Sequence, residues 1–126
     1  MSREVISTTN APAAIGPYSQ AIRHNGAVYV SGQIPLNPDT GELVTDGIDA
    51  QIHQVFTNLG AVAAAADTSL ANALKVTIYL TDLQHFALVN ERMAEFFSQP
   101  YPARAAIEVA GLPKGAEVEA DAIIAM

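Results

Sequence analysis

No cysteine occurs among the 126 residues. Its absence excludes a disulfide framework, a thiolate metal site and a cysteine nucleophile. Positive charge is scarce, with six Lys and Arg against thirteen Asp and Glu and a net charge of −7. Such a chain repels phosphate backbones, and nucleic-acid binders show the opposite balance. Each base is therefore worth locating: Arg3, Arg23, Lys75, Arg92, Arg104 and Lys114. Charged residues make up only 15% while half the chain is hydrophobic, which excludes a disordered tail. No apolar run reaches the roughly 18 residues of a transmembrane helix. The start, MSREVISTT, carries Glu4 and no apolar h-region, so it does not read as a signal peptide. A soluble cytoplasmic protein is the expectation. His24, His53 and His85 are scattered without metal-ligand spacing. A Walker loop, a dinucleotide fingerprint and a nucleophile elbow are all missing.

What remains reads as one domain over 1–126. Residues 4–7 suit a short first strand. Extended runs at Ser19–His24 and Ala27–Gln33 flank Asn25-Gly26, a pair that accepts positive φ at both positions of a tight hairpin turn. Pro35 through Gly41 is a turn-rich loop. From Asp46 to Ala66, the residues Ile48, Ile52, Val55, Leu59 and Val62 recur at helical spacing. Asp46 is the expected N-cap, with Asp49 in the first turn. Ala73–Leu80 alternates as a strand. Phe86–Phe97 returns to helical period and ends before Pro100 and Pro102. Two more strands, Ala103–Ala110 and Glu117–Ala125, flank the turn Leu112-Pro113-Lys114-Gly115.

The order β-β-β-α-β-α-β-β predicts an α+β fold, a mixed sheet with two helices packed on one face. Alternation assigns Val28, Val30, Leu74, Val76, Ile78, Ala105, Ile107, Val118, Ala120, Ala122 and Ile124 to the helix side. Tyr29, Ser31, Thr77, Tyr79, Arg104, Ala106, Glu108, Glu119, Asp121 and Ile123 fall on the other. That second face is too mixed for a core, so it meets either water or another copy of the chain.

Several side chains suit chemistry. Arg104 offers a rigid fork for a carboxylate; its structural alternative is an ion pair with Glu108 or Glu119. Glu119 and Asp121 share a face, and a partly buried acid there has a raised pKa and can move protons; the alternative is an edge strand charged against aggregation. Tyr18 follows Gly16-Pro17, where a loop projects it into a cleft or tucks it into the core. Gly32 after Ser31 permits close approach of a ligand, or simply ends the strand. Asn90 beside Phe86, Val89 and Met93 fastens a loop or reaches a ligand. The residues alone support an anion-binding cleft.

The motifs Ile15-Gly16-Pro17-Tyr18-Ser19-Gln20-Ala21, Val28-Tyr29-Val30-Ser31-Gly32-Gln33-Ile34-Pro35 and Thr40-Gly41-Glu42 come in a particular order. Asn58-Leu59, Val76-Thr77-Ile78-Tyr79-Leu80-Thr81-Asp82, Val89-Asn90-Glu91, Phe96-Phe97, Pro102-Ala103-Arg104 and Leu112-Pro113-Lys114 continue it. Together, over nearly the whole chain, they resemble the Rid family (YjgF/YER057c/UK114) of reactive-intermediate imine deaminases. The resemblance implies a chorismate-mutase-like α+β fold and a homotrimer with ligand clefts between subunits. It implies hydrolysis of 2-imino acids or their enamines, such as 2-aminoacrylate and 2-aminocrotonate, to 2-keto acids and ammonia, with no cofactor or metal. Carried over by position, Arg104 binds the substrate carboxylate and Glu119 positions or activates water. By the same carry-over Tyr18, Ser31 and Gly32 line the cleft and Asn90 is a supporting polar group. Three positions depart from the family pattern: Ala106 stands where many members have Cys, the 98–103 segment is short, and Asp121 replaces a common Glu. Two other function classes remain open at this point, a 2-keto acid sensor without turnover and a ribonuclease or translation inhibitor. The net charge argues against the last.

Overall fold

The structure, a computed structural model, describes residues 2–126. Six strands form one mixed sheet: β1 (Glu4–Ile6), β2 (Ala21–His24), β3 (Ala27–Gln33), β4 (Ala73–Leu80), β5 (Ala103–Glu108) and β6 (Val118–Ala125). Their order across the sheet is β1-β2-β3-β6-β4-β5. All neighbours are antiparallel except β4 and β5. The helix α2 (Phe86–Phe96) makes the crossover that this parallel pair requires. The other helix, α1 (Ile48–Ala65), packs against β3 and β6.

Both helices share a core with one side of the sheet. Ile52, Val55, Phe56, Leu59 and Val62 of α1 join Val89 and Met93 of α2 against Val28, Val76, Ile78, Leu80, Ala120 and Ile124. The predicted α+β arrangement, with both helices on one face, is what the structure shows. The β2–β3 hairpin turns through Asn25 (φ 51°) and Gly26 (φ 79°), the two positive φ values its tight turn demands. No helix of the described residues is long and apolar enough to cross a membrane.

Three expectations need correction. First, β5 lies one residue out of the expected phase. In its parallel register Val76 sits beside Arg104 and Ile78 beside Ala106. Neighbours in register point to the same side, so Arg104, Ala106 and Glu108 face the helices, while Ala105 and Ile107 face outward. Matching apolar residues to the core placed Ile107 inside; it is 46% exposed. Second, Leu74 is exposed. The β4–β6 register shifts between Ala73 and Lys75, and this extra residue in the strand turns Ala73 inward in its place. Third, α1 begins after Gly47, at φ 105°, without a side-chain cap. Asp46 does not cap it; Asp49 does occupy the first turn.

Buried amides fasten the long 34–47 loop to α1. Asn58 donates Nδ2 to the carbonyls of Ile34 (3.3 Å) and Leu36 (3.0 Å). Gln51 donates to Val44 O at 3.0 Å and accepts from Glu117 N at 2.9 Å. The second of these bonds fixes the entry to β6, two residues before Glu119.

Candidate functional site

Arg104 leaves the edge strand β5 and lies against α2. Its guanidinium carbon stands 4.8 Å from the centroid of the Phe86 ring, a cation–π arrangement. Nη1 donates to Asn90 Oδ1 and sits 3.7 Å from Met93 Sδ. The ion pairs of the described residues join Arg23 and Arg92 to acids, and none involves Arg104. The expected alternative, pairing with Glu108 or Glu119, is not what the structure shows. Glu108 instead accepts from Leu83 N at 3.0 Å. The side edge of the fork, Nε and Nη2, therefore has no protein acceptor among the described residues. That edge has the geometry for two parallel hydrogen bonds to one carboxylate. Arg104 lines a cleft of about 500 Å³ together with Asn90, Met93, Ala94, Tyr101 and Pro102.

Glu119 lies on the opposite side of the sheet, on β6. It is half-buried, and burial pushes its carboxyl pKa up, with the charge of Asp121 adding to the rise. Its cleft, about 570 Å³, is walled by Tyr18, Gly32, Gln33, Ile34, Pro113 and Lys114 among others. The β3–β6 register shifts between Val30 and Gln33, and this bulge brings Gly32 directly beneath the carboxylate. A Cβ at position 32 would overlap Glu119 Oε2 and lie 3.0 Å from its Cδ. Only glycine leaves the Glu119 carboxylate in this position; a larger residue makes it swing aside.

Of the predicted site residues, the structure brings Tyr18, Gly32 and Glu119 together in one cleft and Arg104 and Asn90 in another. Ser31 is in neither. Its hydroxyl donates to Ser19 O at 2.6 Å, and it lines a shallower groove with Tyr18, Ile22 and Tyr29. Within one chain Arg104 and Glu119 stand on opposite faces of the sheet.

A family model described as Endoribonuclease L-PSP matches residues 8–126. The chain belongs to this YjgF/UK114 family, the Rid family. The RutC family protein y4sK of Sinorhizobium fredii is 50% identical over 123 residues, 98% of each chain. A Bos taurus protein named 2-iminobutanoate/2-iminopropanoate deaminase is 45% identical over 121 residues, 96% of this chain and 88% of that one. The crystal structure of RidA from the Antarctic bacterium Psychrobacter sp. PAMC 21119 matches with a TM-score of 0.94 at 48% identity, covering 98% and 100% of the two chains.

In this Rid chain some participants escape sequence reasoning. Phe86 and Met93 read as core stripe, yet they also seat the guanidinium of Arg104. Gln20 is buried and binds Thr8 N at 2.7 Å, Thr8 O at 3.0 Å and Pro12 O at 2.8 Å, holding the segment that leads to Tyr18. Lys114, left-handed at φ 59°, is the cation of the Glu119 cleft. A non-glycine residue held at positive φ hints at such a position, but φ is not visible in a sequence.

Proposed function

We propose that this Rid chain hydrolyses 2-imino acids, or their enamine tautomers, to 2-keto acids and ammonia. The reaction runs in clefts of a homotrimer where the Arg104 edge of one copy meets the Glu119 face of another. The observation that carries this reading is the unpartnered side edge of Arg104. In a chain of net charge −7, a guanidinium packed on Phe86 and steadied by Asn90 is a seat for a small carboxylate. The names of the deaminase relatives support the same reading.

The chemistry asks little of the protein. A protonated imine carbon is already electrophilic. Arg104 fixes the substrate by its carboxylate, and the cleft holds one water beside the imine, which supplies effective concentration. The water oxygen bonds to the imine carbon while Glu119 accepts a water proton. The resulting carbinolamine loses nitrogen as the C–N bond breaks and the C=O forms. Glu119 returns its proton to the departing nitrogen and the hydroxyl proton passes to the ammonia as it leaves, so ammonium departs and the Glu119 carboxylate is restored. An enamine first takes a proton at its terminal carbon. A raised pKa suits a carboxyl that must accept a proton as well as donate it. Tyr18 and Gly32 shape the Glu119 side, and Ser31 anchors the loop carrying Tyr18 through Ser19.

The test generates 2-aminoacrylate or 2-aminocrotonate with an amino-acid dehydratase and traps the remaining imine with semicarbazide. Wild type accelerates keto-acid formation. Arg104→Ala loses about 100-fold in kcat/KM, the worth of a charge-assisted pair. Unchanged deamination in Arg104→Ala refutes the assignment. Keto-acid binding without any rate effect supports a sensor instead. A ribonuclease control covers the activity named in the family description, which the charge balance opposes.

A further inference from the structure

We propose that Tyr79 and Asp121 are positioning residues for Glu119: Tyr79 holds the Asp121 carboxylate in place as a negative charge that makes Glu119 the better proton acceptor for turnover. The link to turnover rests on the deaminase reading; the electrostatic claim does not.

The argument begins with the sheet. Glu119 and Asp121 are two residues apart on β6, so both side chains emerge on the face away from the helices. On the neighbouring strand β4, Tyr79 stands opposite Glu119 and Thr77 opposite Asp121. Tyr79 does not give its hydroxyl to the residue it faces. It reaches diagonally and donates to Asp121 Oδ2 at 2.9 Å. Diagonal neighbours in an antiparallel pair lie within reach of a long aromatic side chain. This bond fixes the orientation of the Asp121 side chain. A negative charge held on the same face of the strand disfavours ionisation of Glu119.

The other groups around Glu119 do not take over this role. β3 offers Gly32 and Gln33, which are uncharged. The 34–41 loop contributes only apolar and glycine positions to the cleft wall. The loop before β2 offers Tyr18, and the 113–115 turn offers Lys114, whose positive charge acts in the opposite sense. Asp121 is the charge that raises Glu119 beyond its burial. Tyr79 carries the reciprocal mark: its phenol pKa is pushed up, chiefly by the hydrogen bond to Asp121.

The experiment follows the Glu119 side-chain carboxyl carbon by NMR across pH in full-length protein, alongside the pH profile of kcat/KM. Asp121→Asn lowers the Glu119 midpoint by roughly half a unit to one unit and moves the matching limb of the rate profile by the same amount. Tyr79→Phe shifts both in the same direction but less, because the charge stays while its position loosens. Asp121→Glu, which keeps the charge, stays near wild type. A Glu119 midpoint that does not move in folded Asp121→Asn overturns the proposal, whatever happens to stability. If the carboxyl shifts as expected but wild type shows no deamination, the electrostatic device stands and the deaminase reading fails. If wild type deaminates and the midpoint is fixed, the reverse holds.

Discussion

Gly32 and Glu119 show how little tolerance the acid half of the site has. A methyl group at position 32 competes with the Glu119 carboxylate for one space. Gly32→Ala is expected to fold, because the side chain can swing aside, but to displace the carboxylate and cut deamination at least about tenfold, measured as kcat/KM at pH 7. Glu119 also leaves a signature in stability. Folding raises its pKa, so the native state favours the protonated acid. Its favourable contribution is full below the ordinary carboxylate pKa and is lost as pH rises through the raised value. Glu119→Gln, never charged, should match wild type in thermal melting near about pH 4 and melt higher at neutral pH. Equal melting temperatures at neutral pH would show that burial does not strain this acid. Arg104→Lys makes a separate point. A lysine cannot present two parallel donors or stack as a plane on Phe86. It is expected to retain little more activity than Arg104→Ala, with the loss visible mainly in KM.

Elements were legible where pattern and chemistry agreed. The Asn25-Gly26 hairpin, the apolar stripe of α1, the alternation of β4 from Val76 onward and the prolines after α2 all read correctly from the chain. Bulges and phase were not legible. One extra residue at Leu74 reverses which side chain faces inward, and nothing in the local composition marks it. On β5 the apolar Ile107 suggested the wrong face, because the outward side of this sheet is itself partly apolar. The error matters for the site: it set Arg104 and Glu119 on one face, whereas Arg104 belongs with α2 and Glu119 with the open side. Asn90 read as an amide that fastens a loop or reaches a ligand; in the structure its Oδ1 accepts from Arg104 instead. The 34–47 loop supplies an element-scale prediction. Asn58 is fully buried and holds the loop carbonyls of Ile34 and Leu36, while Gln51 holds that of Val44. Asn58→Ala should cost about 2–3 kcal/mol in urea unfolding, with faster hydrogen exchange concentrated at residues 34–44. Uniform loss of protection instead would mean the loop is held by something else.

At the scale of the whole molecule, a single copy keeps the anion seat and the proton-handling acid on opposite sides of one sheet. Two copies are needed to bring them together in the proposed mechanism, and the exposed Tyr29 (48%) and Ile107 (46%) give the open face apolar ground for contact. Mixing decides the matter. Arg104→Ala and Glu119→Ala are each expected to be inactive alone. In randomly mixed oligomers about a quarter of the sites recover both groups when each comes from a different copy. Zero recovery in verified mixed oligomers would mean that one chain supplies both. Ile107→Glu should reduce the mass measured by light scattering and the activity together. The parallel β4–β5 pair has one more implication. The walls of the proposed carboxylate seat, from Phe86 and Asn90 to Tyr101 and Arg104, lie within one continuous stretch bounded by that pair, whereas the surroundings of Glu119 are assembled from both ends of the chain. Transplanting residues 81–102 between homologues would therefore retune which molecules are accepted while leaving the proton-transfer apparatus as inherited.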